Sequence, residues 1–215
     1  MNYDSSSSSL CDDDDDDNYY KDSYKKCYGC ANWAEHLICC LTCKRTYHPK
    51  CHIPPITSTT ISSNLESNDM ELWTCTMCID IDHVSKEMSE GTSDPNKNTL
   101  NENEICMASR ILLELLCDTD NSIQFMNFPP KYLVSFYYHN YSTVSLYSVK
   151  NRLRSKDNYY TSFSDVIVDI KRIYSNALFF FHSSDISHKM AQKQQNLLFE
   201  ILTKWVPQYH TDPNN

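Results

Sequence analysis

Eight candidate metal ligands run along one short stretch as Cys27-x2-Cys30-x9-Cys40-x2-Cys43-x4-His48-x2-Cys51-x23-Cys75-x2-Cys78. Two residues between paired ligands allow a tight turn that aims both at one ion, about 2.3 Å from each sulfur. Eight ligands fill two closed tetrahedral sites, and thiolates with one imidazole suit zinc. Few large aliphatic residues lie outside the ligand turns, so the bound metal must supply much of the folding free energy. Spacing leaves the pairing open between sequential and interleaved sites. Cys39 competes with Cys40 for one position. Cys40 repeats the spacing of the other pairs, and Cys39 then points the opposite way along an extended chain.

The rest of the composition narrows the function classes. The chain has 215 residues and 11 cysteines, and its first residues show neither a basic nor an apolar leader segment. Reduced thiols holding metal are therefore expected rather than disulfides. No apolar run approaches the length of a membrane-spanning helix, so no membrane partner is expected. Gly29 and Gly91 are the only glycines, which excludes Gly-rich phosphate loops. The net charge of −9 sits almost wholly in residues 1–23, where eight acids face Lys21. The remainder is nearly neutral, a poor footprint for direct or sequence-specific nucleic-acid binding. Every well-placed cysteine–histidine neighbour is a metal-ligand candidate, so no catalytic residues are expected and the chain does not read as an enzyme.

Composition marks four segments. Residues 1–23 join a serine run, Ser5–Ser9, to an aspartate run, Asp12–Asp17. They read as a disordered acidic tail, either solvating or attracting basic protein tails. Residues 24–82 hold the ligand string. Residues 83–103 are polar, with Gly91 and Pro95, and read as a linker. Residues 104–210 have helical periodicity. A first stripe is Ile111, Leu112, Leu115 and Leu116, ended by Pro129-Pro130. A short helix fits 145–153, with Leu146, Val149 and Leu153 on one face. Ser162 and Asp165 fit a capping box for a long helix striped by Phe163, Val166, Ile170, Ile173, Tyr174, Ala177 and Phe181. The chain turns at Ser183-Ser184. A last stripe is Ile186, Met190, Leu197, Leu198, Ile201, Leu202 and Trp205, stopped by Pro207. The expected fold is an all-α four-helix bundle following a small zinc-stabilised module.

The phrases Ile38-Cys39-Cys40-Leu41-Thr42-Cys43, Tyr47-His48-Pro49-Lys50-Cys51-His52-Ile53-Pro54 and Trp73-Thr74-Cys75-Thr76-Met77-Cys78 carry a family resemblance. Four cysteines, a histidine and three cysteines, with a tryptophan two residues before the last pair, resemble a PHD finger. The phrases are most similar to the transcription intermediary factor branch of tripartite-motif proteins. There a bromodomain follows the finger, which suits the helical half. The resemblance implies a cross-brace with short β-strands and two zinc ions. Cys27, Cys30, His48 and Cys51 would share one ion, and Cys40, Cys43, Cys75 and Cys78 the other. It implies a left-handed bundle and a core role for Trp73. His36, His52 and His83 read as surface histidines.

The resemblance also implies ligands. PHD fingers add the histone H3 tail as an extra strand, here along Leu37, Ile38, Cys39 and Cys40. Fingers reading trimethyl-lysine place a cage tryptophan two residues before the zinc histidine, where this chain has Thr46. Trp33 is another aromatic candidate. Readers of unmodified lysine use carboxylates just before the first zinc cysteine, where Lys25 and Lys26 stand; Asp22 and Glu35 are the nearby acids. Similar bromodomains hold acetyl-lysine with an asparagine after the third helix and a loop tyrosine. Those positions fall on Phe181, beside His182, and on Phe136, beside Tyr137. The expected function is a nuclear chromatin reader or scaffold in transcription regulation. Its finger would bind an unmodified rather than trimethylated H3 tail, or another chromatin protein, beside a degenerate acetyl-lysine pocket. The alternatives are a SUMO or ubiquitin ligase-type scaffold that recruits a conjugating enzyme, and a structural protein that has lost peptide reading.

Overall fold

The computed structural model describes residues 24–57, 73–90, 98–127, 144–155 and 159–210, and divides into two units, Met1–Cys78 and Ile79–Asn215. The acidic run at 1–23 lies outside the described residues.

In the first unit, β1 (Lys25–Lys26) pairs antiparallel with β2 (Trp33–Ala34), and β3 (Ile38–Cys39) with β4 (Thr46–Tyr47). A single parallel bridge between Cys27 and Thr46 joins the two ribbons. Strands of two residues cannot stand alone, and the core between them is correspondingly small and aromatic. Tyr47 is fully buried and meets Trp73 edge-on at 5.9 Å and His52 at 5.1 Å, while His52 meets Trp73 at 4.8 Å. Ile53 and Ile56 close this core. Trp73 takes the core role expected of it.

His52 corrects the sequence reading, which placed it on the surface. It is buried; its Nδ1 lies 2.7 Å from the Pro54 carbonyl and its Nε2 accepts from the Thr76 N–H at 3.1 Å. The Thr76 hydroxyl donates to the Ile53 carbonyl at 2.8 Å. These bonds clamp the segment after Cys51 to the turn that begins at Cys75. His36 and His83 are exposed, as expected.

The second unit holds α1 (Asp82–Glu90), α2 (Glu102–Cys117), a short α3 (Thr119–Ser122) running into a 3-10 turn at Ile123–Phe125, α4 (Leu146–Leu153), α5 (Phe163–Phe180) and α6 (Ile186–Trp205). α5 packs along α6, and α2 contacts α1, α4, α5 and α6. The buried stripe includes Ile111, Leu112, Leu115, Leu116, Val166, Ile170, Tyr174, Leu198 and Leu202. Ser162 caps α5 by the expected box: its hydroxyl accepts from Asp165 N–H at 3.2 Å, and Asp165 accepts from Ser162 N–H at 3.1 Å.

Three expectations change. The segment read as a linker over 83–103 begins as helix α1. Ile81 and Val84 are buried, and the Ser85 hydroxyl donates to the Trp205 carbonyl. Two apolar residues anchor this short helix, and its polar majority is its solvent face. The first bundle helix ends at Cys117, well before Pro129, because Asp118 is drawn into other bonds: it accepts from Gln194 Nε2 at 2.8 Å and from Asn121 Nδ2. In α6 the stripe shifts. Ile186 is exposed, and fully buried Gln194 bonds the Tyr174 hydroxyl at 3.0 Å. A second buried polar cluster has Asp169 accepting from Arg152 at 2.5 Å, Arg172 at 2.8 Å and the Tyr160 hydroxyl at 3.0 Å.

Candidate metal centres and ligand surfaces

The first two ligand turns, at Cys27–Cys30 and Cys40–Cys43, share one geometry. Ala31 N–H donates to the Cys27 carbonyl at 2.8 Å, and Lys44 N–H to the Cys40 carbonyl at 2.9 Å. The residue after each second cysteine takes a left-handed conformation, φ 61° at Ala31 and 59° at Lys44. Such a backbone costs a non-glycine residue about 1–2 kcal/mol, so the metal-bound turn must offset it. Gly29 answers a different demand. A Cβ there would stand 2.6 Å from the Cys51 carbonyl oxygen, so the first turn lies directly on the segment that supplies the third and fourth ligands.

The side chains gather as two clusters: Cys27, Cys30, His48 and Cys51; and Cys40, Cys43, Cys75 and Cys78. All ligand atoms within each cluster lie within 4.8 Å of one another. Edges of a zinc tetrahedron run about 3.8 Å between sulfurs and about 3.6 Å from sulfur to nitrogen, from the usual bond lengths. Here Cys43–Cys75 is 3.6 Å, Cys75–Cys78 3.7 Å and Cys40–Cys78 3.9 Å. His48 Nδ1 is 3.4 Å from the Cys30 sulfur and 3.7 Å from the Cys51 sulfur. The clusters fit two zinc ions, in the interleaved pairing, with four protein ligands closing each site. Bound zinc would cross-link segments distant in sequence, as structural sites do.

The surroundings favour a thiolate at Cys27 and at Cys40. The His48 N–H points at the Cys27 sulfur at 3.4 Å, and the Cys75 N–H at the Cys40 sulfur at 3.3 Å. A hydrogen bond from Cys51 holds the Cys27 thiol down at about 4, and the same bond, with burial, pushes Cys51 up. Without a cation, negative charge concentrates on one sulfur at the expense of its neighbours. A divalent ion removes that conflict. Cys40 joins the second cluster, so the preference for it over Cys39 follows the geometry.

The other sequence candidates are spread out. Ile38 and Cys39 form β3, with Leu37 half-buried just before it. Trp33 lies on β2 and Glu35 follows that strand, exposed. Asp22 lies outside the described residues. Thr46, at the cage-tryptophan position, is buried on β4, and its hydroxyl donates to the Lys26 carbonyl at 2.8 Å. In the bundle, Phe181 caps the end of α5: its N–H donates to the Ala177 carbonyl at 2.9 Å and its ring meets Phe180 edge-on. His182 is exposed, and its Nδ1 lies 2.8 Å from the Ser184 hydroxyl. Phe136 and Tyr137 lie outside the described residues. The His52–Thr76 clamp, Gly29 and the two left-handed residues escaped the sequence reading. The lone glycine of the ligand string was the available signal for one of them.

Comparison with known proteins matches these units separately. Residues 25–78 match the PHD-finger family model, and residues 109–193 the bromodomain family model. The chain is similar to proteins named E3 ubiquitin-protein ligase TRIM33. With that of Xenopus laevis it is 27% identical over 156 residues, covering 70% of this chain and 13% of that protein. With that of Danio rerio it is 25% identical over 178 residues, covering 79% and 14%. With that of Mus musculus it is 28% identical over 156 residues, covering 70% and 13%. The chain thus spans a small part of these relatives' length. Among the described residues no helix is long and apolar enough to cross a membrane.

Proposed function

Since the chain carries a PHD finger followed by a bromodomain, the makings of a chromatin reader, we propose that it acts in the nucleus as a reader or scaffold in transcription regulation. Its finger binds the histone H3 tail in the unmodified rather than the trimethylated state at the tail's fourth residue. The peptide lies along Leu37–Cys39. The observation that carries this reading is Thr46: the position where a cage ring would stand holds a small buried side chain whose hydroxyl is committed to Lys26. A quaternary ammonium is held by ring faces, and none is available there. Lys25 and Lys26 on β1 weaken the binding of a basic tail.

The bundle is a degenerate acetyl-lysine pocket, in which Phe181 and Phe136 replace both donors to the acetyl oxygen. A buried carbonyl left without a donor loses about 1–3 kcal/mol. Calorimetry of the zinc-loaded chain tests both halves. The unmodified H3 tail should bind more tightly than the tail trimethylated at its fourth residue, and acetylated H3 and H4 peptides should show no saturable binding below millimolar concentration. Preference for the trimethylated tail would overturn the finger's part. Micromolar acetyl-lysine binding, lost on His182→Ala, would overturn the bundle's.

The relatives' name as ubiquitin-protein ligases supports a second reading, a ligase-type scaffold that recruits a ubiquitin- or SUMO-conjugating enzyme. In that case the chain, mixed with a charged conjugating enzyme, would accelerate transfer to lysine, and Cys75→Ser would abolish the acceleration.

A further inference from the structure

The buried carboxylate of Asp169 on α5 holds two arginines side by side: Arg152 of α4 on Oδ2 at 2.5 Å, and Arg172 on Oδ1 at 2.8 Å. The Tyr160 hydroxyl donates to Oδ2 as well. The two arginine side chains are 24% and 40% exposed and that of Asp169 only 9%, so a ligand arriving from solvent meets the cations before the acid. Arg152 also lies over the exposed ring of Tyr159, 4.4 Å from its centroid, which braces the guanidinium from one side. One carboxylate offsets one of the two positive charges, and Arg154, exposed at the end of α4, adds another. Asp165, one turn earlier on α5, commits its Oδ2 to the Thr161 hydroxyl and the Ser162 N–H. A guanidinium carries five N–H donors, and each of these arginines gives one to Asp169. Two forks held in place with donors remaining are suited to bidentate recognition of a phosphate.

We propose that this corner of the bundle, formed by Arg152, Arg172 and Tyr159, binds a phosphorylated serine or threonine of a partner protein. A phosphomonoester is a compact dianion with three strong acceptor oxygens, which two adjacent forks can grip at one point. Burial of Asp169 fixes the forks in advance, so little side-chain freedom is lost on binding. A nucleic-acid backbone instead calls for cations repeated along a groove, and the chain beyond its first 23 residues is nearly neutral. The site lies wholly within the helical unit and does not depend on what the finger binds.

The test titrates the zinc-loaded full chain with three probes: N-acetyl-phosphoserine methylamide, its O-sulfated counterpart and a short oligothymidylate. The readout is the Nε–Hε resonance of Arg152. The phosphoserine probe should bind saturably, and about fivefold or more tightly than the sulfate ester, which carries a single negative charge. Arg172→Gln should weaken that binding about tenfold or more. The same variant should keep its helical melting transition, because Asp169 retains Arg152 and Tyr160. Arg172→Lys should recover only part of the loss, since an ammonium keeps the charge without the fork. No saturable shift with the phosphoserine probe, equal affinity for the sulfate ester, or unchanged affinity in Arg172→Gln would overturn the proposal. Tighter binding of the oligothymidylate than of phosphoserine would overturn it too, by making the corner a nucleic-acid contact.

Discussion

Replacing His52 by alanine probes the finger where the metal cannot mask the effect, since His52 is not among the clustered ligands. The change removes the acceptor of the Thr76 N–H, in a buried residue 6% exposed. An orphaned buried donor costs about 1–3 kcal/mol. It also removes two edge-on contacts, with Tyr47 and Trp73, worth about 0.5–1.5 kcal/mol each. Pro54 is exposed, so its freed carbonyl can bond water and adds little. The terms sum to about 2–6 kcal/mol, and folding of such a module and its metal binding are one equilibrium. Apparent zinc affinity should therefore fall about 30-fold or more, read by competition with a chromophoric chelator, while the stoichiometry stays at two. His36→Ala, at an exposed site, is the control and should change nothing. Unchanged affinity in His52→Ala would refute the clamp. Loss of one zinc at saturating metal would mean that His52, not His48, is the ligand.

Gly29→Ala should cost the finger its zinc, because the added methyl would collide with the Cys51 backbone; full metal loading with native Trp73 fluorescence would contradict this. Lys44→Gly should raise apparent zinc affinity severalfold, by relieving about 1 kcal/mol of left-handed backbone strain; competition titration checks it. Tyr174→Phe leaves the fully buried Gln194 without its hydroxyl donor and should destabilise the helices by about 1–3 kcal/mol, read by thermal melting of the helical circular dichroism. The phenols of Tyr160 and Tyr174 are both pushed up, chiefly by burial and then by Asp169 and Asp118. The folded state keeps their protons while unfolded chains lose them near the ordinary value of about 10. Their contribution is thus complete below pH 10 and lost as pH rises beyond it. The melting temperature should be flat from neutrality to pH 9 and fall above 10, less steeply in the Tyr160→Phe, Tyr174→Phe double variant.

The legible parts of this chain are those where chemistry repeats at fixed spacing. Paired cysteines announce the metal sites, and apolar residues three and four apart announce α2, α5 and α6. The Ser162–Asp165 box announces where α5 begins. The rest depends on partners far along the chain. His52 looks like any surface histidine until Thr76, 24 residues on, supplies its donor. Helix α1 looks like linker because its burial rests on two residues and on bonds to the last helix. Asp118 stops α2 through Gln194, 76 residues away, a signal that no local window contains. Spacing likewise left the zinc pairing open, since interleaving is decided by which segments meet.

That pairing is tested most directly by native mass spectrometry of the zinc-loaded chain and three double variants. The wild-type chain should carry two zinc ions. Cys27→Ser with Cys51→Ser, both drawn from the cluster that contains His48, should leave one ion held by Cys40, Cys43, Cys75 and Cys78. Cys27→Ser with Cys75→Ser, one change in each cluster, should leave none tightly bound. If instead the first pair strips both ions while Cys27→Ser with Cys43→Ser retains one, the sites are sequential and the cross-brace is contradicted.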